Sequence, residues 1–238
     1  DRIRDRLYFT ISFESNVYYI DDVSLLQVGP FSTSSFDVLA ITNNSGMTSA
    51  DILGTDQFPS AGLLGIAVDE GGYVYVVSRA SDGINYTVLK IDPAVPSIVD
   101  GIDLDAAGIG FSGGYESFAP GNDLLYREGR LYLLNYATTP AVLKFTTSPL
   151  AFEESFGIQD ADGVDTTGPE GEFLGPRRFA AVLNRRIVII DESSSEDRLV
   201  FFDDFAGGTA TDWGVYGQGG AFLGNSGDPD LFQFFSQS

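Results

Sequence analysis

Cysteine and histidine are both absent from this chain, and each absence removes a class of chemistry. Without cysteine there is no disulfide framework, no thiolate nucleophile and no cysteine-ligated metal. Without histidine the Ser-His-Asp and Cys-His arrangements cannot be assembled, and zinc or iron would be left with carboxylate ligands alone, a poor donor set for either. Lysine is scarce as well. Lys90 and Lys144 are the only two, and 13 basic residues stand against 34 acidic ones for a net charge of −21. A field of that sign repels phosphate backbones and anionic headgroups, which excludes nucleic acid and anionic lipid surfaces as partners. No stretch approaches the ~18 consecutive apolar residues of a membrane-spanning helix, so no membrane insertion is expected.

What is present points to order. A chain of 238 residues, 43% apolar and 13% aromatic, is long enough for one substantial core. The carboxylate surplus reads first as a solubilising surface for salty, acidic or extracellular surroundings, with calcium as the one cofactor it would suit. The chain starts at Asp1 rather than at methionine, which fits removal of a leader or excision from a longer protein. An extracellular or cell-surface location, or the periplasm, is the expectation.

The stretch Gly171–Asp204 shows the organisation most clearly. Three apolar runs, Phe179–Leu183, Ile187–Asp191 and Leu199–Phe202, are separated by the tight connection Asn184-Arg185-Arg186 and the acidic loop Glu192–Asp197. Runs of that length between breakers read as strands of a meander. The grammar recurs in Leu7–Ser12, Asn16–Asp22 and Phe36–Thr42, and in Leu63–Asp69, Tyr73–Ser78, Tyr86–Asp92 and Ile98–Leu104. It recurs again in Asn122–Arg127, Leu131–Asn135, Ala141–Thr146 and Phe152–Ile158, and Trp213–Tyr216 reads as the outer strand of the last unit. Second-strand anchors at Leu7, Tyr73, Leu131 and Ile187 recur about every 60 residues. The expected fold is therefore all-β: a β-propeller of about four four-stranded blades in a single domain, with a stacked β-sandwich as the runner-up. The repeat units run roughly 1–58, 59–108, 109–160 and 161–218, and 219–238 holds the first strand of a closing blade.

That closing strand is inferred from the two ends. The first unit lacks a first strand, because the opening Asp1–Arg6 is short and charged, whereas Asp230, Leu231, Phe232, Phe234 and Phe235 form an apolar run with no unit of its own. Its lead-in Gly220–Gly224 (GAFLG) echoes Gly171–Gly175 (GEFLG) before the fourth unit. The step from Ile187 around the terminus to Leu7 is also about 60 residues. An unpaired edge strand must be covered, so Leu7, Tyr8 and Phe9 are expected to receive that strand. It would come from the same chain, giving a ring, or from a neighbour, giving a polymer by strand addition.

The segment Leu63–Ser78 (LLGIAVDEGGYVYVVS), followed by Thr87–Asp92 (TVLKID), resembles NHL repeats of bacterial β-propellers, as does Gly171–Asp204. Gly65-Ile66-Ala67-Val68-Asp69 and Tyr73–Val77 carry the first half of the pattern; Gly171, Phe173, Pro176, Ile187–Asp191 and Arg198–Phe202 carry it in the last unit. The family's asparagine-histidine loop is absent, and these units are longer than its usual blade. The resemblance implies a propeller that binds protein or another ligand without chemistry, although a minority of related propellers are enzymes.

The functional reading is a non-enzymatic extracellular module for protein binding or self-assembly, its partner a protein or a second copy. The alternatives are a calcium-dependent, lactonase-like hydrolase and a glycan-binding propeller, for which exposed Trp213 and Tyr216 would serve as contacts. Asp160, Asp162 and Asp165 offer near-alternating carboxylates for a hard cation, without EF-hand spacing, and Asn225, Asp228 and Asp230 form a weaker set. A solvated inter-blade loop is the default reading of the first triad. Lys90 and Lys144 occupy the same place in two repeats, VLKID and VLKFT, which favours structural duty over a covalent role. Arg177-Arg178 and Arg185-Arg186 read as partners of nearby acids. Asn43 and Asn85 head glycosylation tripeptides in expected loops.

Overall fold

A computed structural model describes residues 6–10, 17–21, 37–38, 42–43, 63–79, 86–109, 111, 123–135, 141–156, 158–159, 172–173, 176–183, 186–192, 197–203, 212–216 and 222–225. Among them all regular structure is strand, in sheets dominated by antiparallel meanders. No helix among the described residues is long and apolar enough to cross a membrane. β1 (Arg6–Thr10), β2 (Val17–Asp21) and β3 (Asp37–Val38) form a three-stranded sheet in that order. β5 (Leu63–Val68), β6 (Val74–Arg79), β7 (Tyr86–Asp92) and β8 (Ser97–Asp103) form the second, with β4 (Thr42–Asn43) laid parallel on the outer edge of β8. β9 (Leu124–Arg127), β10 (Arg130–Asn135), β11 (Ala141–Thr147) and β12 (Leu150–Phe156) make a four-stranded third sheet. β13 (Ile158–Gln159) and β14 (Glu172–Phe173) pair in parallel. β15 (Pro176–Leu183), β16 (Arg186–Glu192), β17 (Asp197–Asp203), β18 (Asp212–Tyr216) and β19 (Phe222–Asn225) complete the last sheet.

The meanders follow the sequence runs, and the departures lie at their margins. The run 36–42 is split between β3, which pairs with β2, and β4, which pairs with β8. An open outer edge competes for the chain with the sheet the run starts in. The outer strand of the third sheet begins at Leu150 rather than Phe152, and Ile158 belongs to β13 instead. The first strand of the last sheet starts at Pro176, and irregularities at 176/178 and 179/181 lengthen it. Both glycine-phenylalanine lead-ins contain strand: GEFLG holds β14, and GAFLG holds most of β19, a fifth strand antiparallel to β18.

The chain divides into two compact units: Asp1–Phe111 with Leu124–Tyr132 and Phe145–Phe152, and Ser112–Asp123 with Leu133–Lys144 and Glu153–Ser238. In the first unit, strand alternation sorts the second sheet into two buried faces. Val74, Val76, Leu89, Ile91 and Ile98 point to one side and pack with Tyr8 and Val17, joined by the half-buried Tyr19, Ile66 and Val68. Tyr75, Val77 and Val88 point to the other and are equally inaccessible. β5 lies against β1 and also against β9. In the second unit Ile187, Ile189 and Val200 are fully buried, and the Asp123 carboxylate accepts the Phe179 amide at 3.0 Å beside an irregularity of β15.

The turns are made by backbone geometry that the sequence supplies. Between β9 and β10, Glu128 (φ 46°) and Gly129 (φ 79°) both take positive φ, the two-residue hairpin geometry that matches strand twist. A Cβ on Gly129 would meet nothing within 4 Å, so conformation rather than space requires glycine there. In β8 an extra residue lies between the partners of Lys90 and Ile91, and Val99 at that bulge is 41% exposed. Among the described residues Ser78 Oγ and Tyr8 OH are buried without a hydrogen-bond partner, an arrangement that stabilises neither group.

Leu89 sits at zero exposure in a face covered on both flanks, so Leu89→Ala is expected to cost about 2–5 kcal/mol. Val95→Ala, at a side chain 67% exposed, should stay within about 0.5 kcal/mol of wild type. Urea unfolding at unchanged m-value checks both; equal effects would mean the second sheet is not the core.

Candidate functional site

A polar cluster of the first unit is built on the turn after β5. Asp69 ends the apolar strand, and the chain reverses through Glu70, Gly71 and Gly72, the last at φ 79°. The Asp69 amide donates to Tyr73 O at 3.0 Å, and the Tyr73 amide donates to Asp69 Oδ1 at 2.8 Å. A Cβ on Gly71 would stand 3.3 Å from that same Oδ1, so glycine leaves the carboxylate its place. The other oxygen, Oδ2, accepts from Tyr75 OH at 2.9 Å.

The Tyr75 ring is fully buried and stacks on Tyr126 of β9, with centroids 6.2 Å apart and planes 9° from parallel. Tyr126 OH donates to Glu70 Oε2 at 3.1 Å and accepts from the Gly129 amide at 3.1 Å. Lys90, from β7, places Nζ 4.4 Å from the Tyr73 ring centroid and 5.7 Å from that of Tyr75, and donates to Thr147 O at 2.8 Å. Thr147 Oγ1 in turn donates to Gly129 O at 3.0 Å.

Burial, and then the hydrogen bond and charge of Asp69, push the Tyr75 phenol far above its ordinary value. Burial likewise raises Tyr126, reinforced by the Glu70 carboxylate against a lowering contact from Gly129. Both phenols therefore stay protonated at neutral pH and act as donors, not nucleophiles. Asp69 thus holds a backbone amide with one oxygen and the Tyr75 phenol with the other.

Three other described aspartates are used in the same manner. Asp100 Oδ1 accepts from Gly101 N at 2.9 Å and its Oδ2 from Leu150 N at 2.8 Å. Asp92 takes Ala94 N, and Asp103 takes Asp105 N and Ala106 N. Carboxylates used this way close turns and fasten one sheet to the next. In the second unit Lys144, 5% exposed, holds Glu154 at 3.0 Å and Glu153 at 3.8 Å. Both lysines are thus committed to structural contacts, in agreement with their shared repeat position.

The expected calcium ligands Asp160, Asp162 and Asp165, and the weaker partners Asp228 and Asp230, lie outside the described residues, as do Leu231, Phe232, Phe234, Phe235 and Asn85. Asn225 ends β19. Among the described residues no group of three or more Asp and Glu is arranged to hold a metal ion. Leu7, Tyr8 and Phe9 do fall together on β1, an edge strand among the described residues, with Leu7 45% exposed and Tyr8 buried. Asn43 lies in the two-residue strand β4, its backbone paired with Ile98, where a loop was expected. The tyrosine cluster was not anticipated; its one sequence signal is the aspartate closing the strand GIAVD, followed at alternate positions by Tyr73 and Tyr75.

No family model, that of the NHL repeat included, matches the chain. No curated protein matches it either. Among solved structures it is similar to hydrazine synthase of Kuenenia stuttgartiensis, at 11% identity over 90% of this chain and 52% of that one, with a TM-score of 0.49. It is also similar to a GH43 glycoside hydrolase engineered to show both endo-xylanase and exo-arabinofuranosidase activity, at 14% identity, 97% and 39% coverage and a TM-score of 0.44. A GH43 β-1,3-galactosidase with galactodeoxynojirimycin gives 14% identity, 66% and 43% coverage and a TM-score of 0.30. The chain spans about half or less of each of these proteins. Likeness of this degree transfers neither activity nor substrate to it.

The tyrosine cluster has a pH signature. An ordinary phenol loses its proton near pH 10, whereas native Tyr75 keeps it well beyond that value. Stability from this group is therefore complete below about pH 10 and declines as pH rises further, where the unfolded chain ionises and the folded one resists. Tyr75→Phe should flatten that alkaline decline without abolishing it, since Tyr126 shifts in the same direction. It should also cost about 1–3 kcal/mol at neutral pH, because Asp69 Oδ2 loses its donor. Denaturant titrations from neutral to alkaline pH check this; an unchanged alkaline slope would refute it.

Proposed function

We propose that this chain is a β-propeller-type repeat module, NHL-like in its sequence pattern, that works outside the cell by binding protein or by self-assembly rather than by catalysis. The observation that carries the reading is how the polar side chains of the described residues are used. Asp69, Asp100, Asp103 and Asp123 accept backbone amides, while Lys90 and Lys144 hold a carbonyl and a carboxylate pair. With histidine and cysteine absent, no imidazole or thiolate is available for catalysis.

The propeller form is supported by meanders that follow chain order and, within the first unit, by the first strand β5 lying against the first strand β9 of the next sheet. The three-stranded first sheet, open at β1 among the described residues, supports a role for strand addition there. The segment Asp230–Phe235 is the proposed donor, on its apolar sequence and its GAFLG lead-in.

Two measurements bear on this reading. Deletion of Asp230–Ser238 should destroy folding or assembly, read by melting and by particle mass; a monomeric product as stable as the full chain would remove the strand-addition role. Millimolar calcium, against EDTA, should leave the melting temperature unchanged, because only a ligand bound to the native state raises it. A clear upward shift accompanied by ester or lactone hydrolysis would favour the hydrolase reading instead.

A further inference from the structure

In the second, third and last sheets the second strand carries the same pattern toward its end. Two fully buried aliphatic residues at alternate positions are followed, two residues on, by a buried polar one: Val74, Val76 and Ser78 in β6; Leu131, Leu133 and Asn135 in β10; Ile187, Ile189 and Asp191 in β16. Alternation puts the three residues of each set on one face of their strand. Asn135 and Asp191 bring a carboxamide and a carboxylate to this place, and neither is without a partner. Ser78, at zero exposure, brings only a hydroxyl on a single carbon, and its Oγ has no hydrogen-bond partner among the described residues. A hydroxyl shut away from solvent without a partner is destabilising, and buried polar groups are satisfied by protein or by ordered water.

The surroundings of Ser78 in the first unit are polar and irregular. Its register partner on β7 is Thr87, also at zero exposure. On the other side, β5 carries an extra residue between Leu63, the register partner of Ser78, and Ile66. Gly65 within that irregularity is buried and has no side chain to fill space. Tyr8 belongs to the cluster that Val74 and Val76 form on the same face of β6, and its OH is a second buried hydroxyl without a partner among the described residues. We infer that one ordered water molecule is a structural ligand of this interface, held by Ser78 Oγ and Tyr8 OH, at the place where the longer side chains of Asn135 and Asp191 supply the polar atom themselves. A hydroxyl both donates and accepts, so the pair can hold a water between them, and a buried water needs at least two polar partners. The assignment is independent of the binding-module reading.

Magnetic relaxation dispersion of the water oxygen, which counts water molecules held for longer than the protein takes to tumble, tests this on the full chain together with urea unfolding. Wild type should hold one more such water than the Ser78→Ala, Tyr8→Phe double variant. Ser78→Ala and Tyr8→Phe should each lower the folding equilibrium constant about fivefold, because each leaves the water, and through it the other hydroxyl, short of a partner. Their combined effect should fall well short of the product of the two, since a shared water is lost with the first change. Ser78→Asn, which installs the side chain found at the equivalent position of β10, should expel the water and remain folded. Both single variants only remove atoms, so their stabilities decide the matter even where the larger asparagine perturbs packing. An equal water count in wild type and the double variant, a Ser78→Ala chain more stable than wild type, effects that multiply, or a Ser78→Asn chain that keeps the water or fails to fold would each overturn the site.

Discussion

Tyr75 and Val76 are neighbours on β6, point to opposite sides of one sheet, and are both at zero exposure. Burial of both faces is the constraint from which the rest of the described structure follows. A sheet with one wet face can alternate apolar and polar residues; a sheet buried on both sides cannot, and β6 and β7 accordingly read as nearly continuous apolar runs. Every polar group left inside such a sandwich then needs a partner. Lys90 finds two tyrosine faces and a carbonyl, Tyr75 finds Asp69, and Asp100 finds two amides.

The same constraint accounts for how several of the described aspartates are used. Bulges and tight turns free backbone amides that the ladders no longer satisfy, and an aspartate beside them is an effective acceptor. Asp103 closes the turn after β8, and Asp123 reaches the amide at an irregularity of β15. Placement of this kind commits carboxylates to the backbone.

Much of the fold was legible in the residues because strand periodicity is local. The runs 63–69, 73–78 and 86–92 are strands within a residue or two at each end, and the glycines at 72 and 129 mark the turns that need positive φ. The short edge strands were not legible. β4, β14 and β19 hold two to four residues each, and what defines them is the open edge they find. The candidate site was legible only in outline: VLKID and VLKFT announced that the two lysines share a duty, while the stacking of Tyr75 on Tyr126 joins residues about 50 positions apart and leaves no local pattern.

The sequence alone determined the class of chemistry this protein lacks, the all-strand character of the chain and the positions of its meanders. Residue types and period-two spacing are properties a chain carries before it folds. Only the tertiary structure decided which side of each strand meets another sheet, because that choice depends on what lies opposite. Tyr8 and Leu7 are consecutive apolar residues of one strand, yet one is buried in the core of the first unit and the other stands nearly half open.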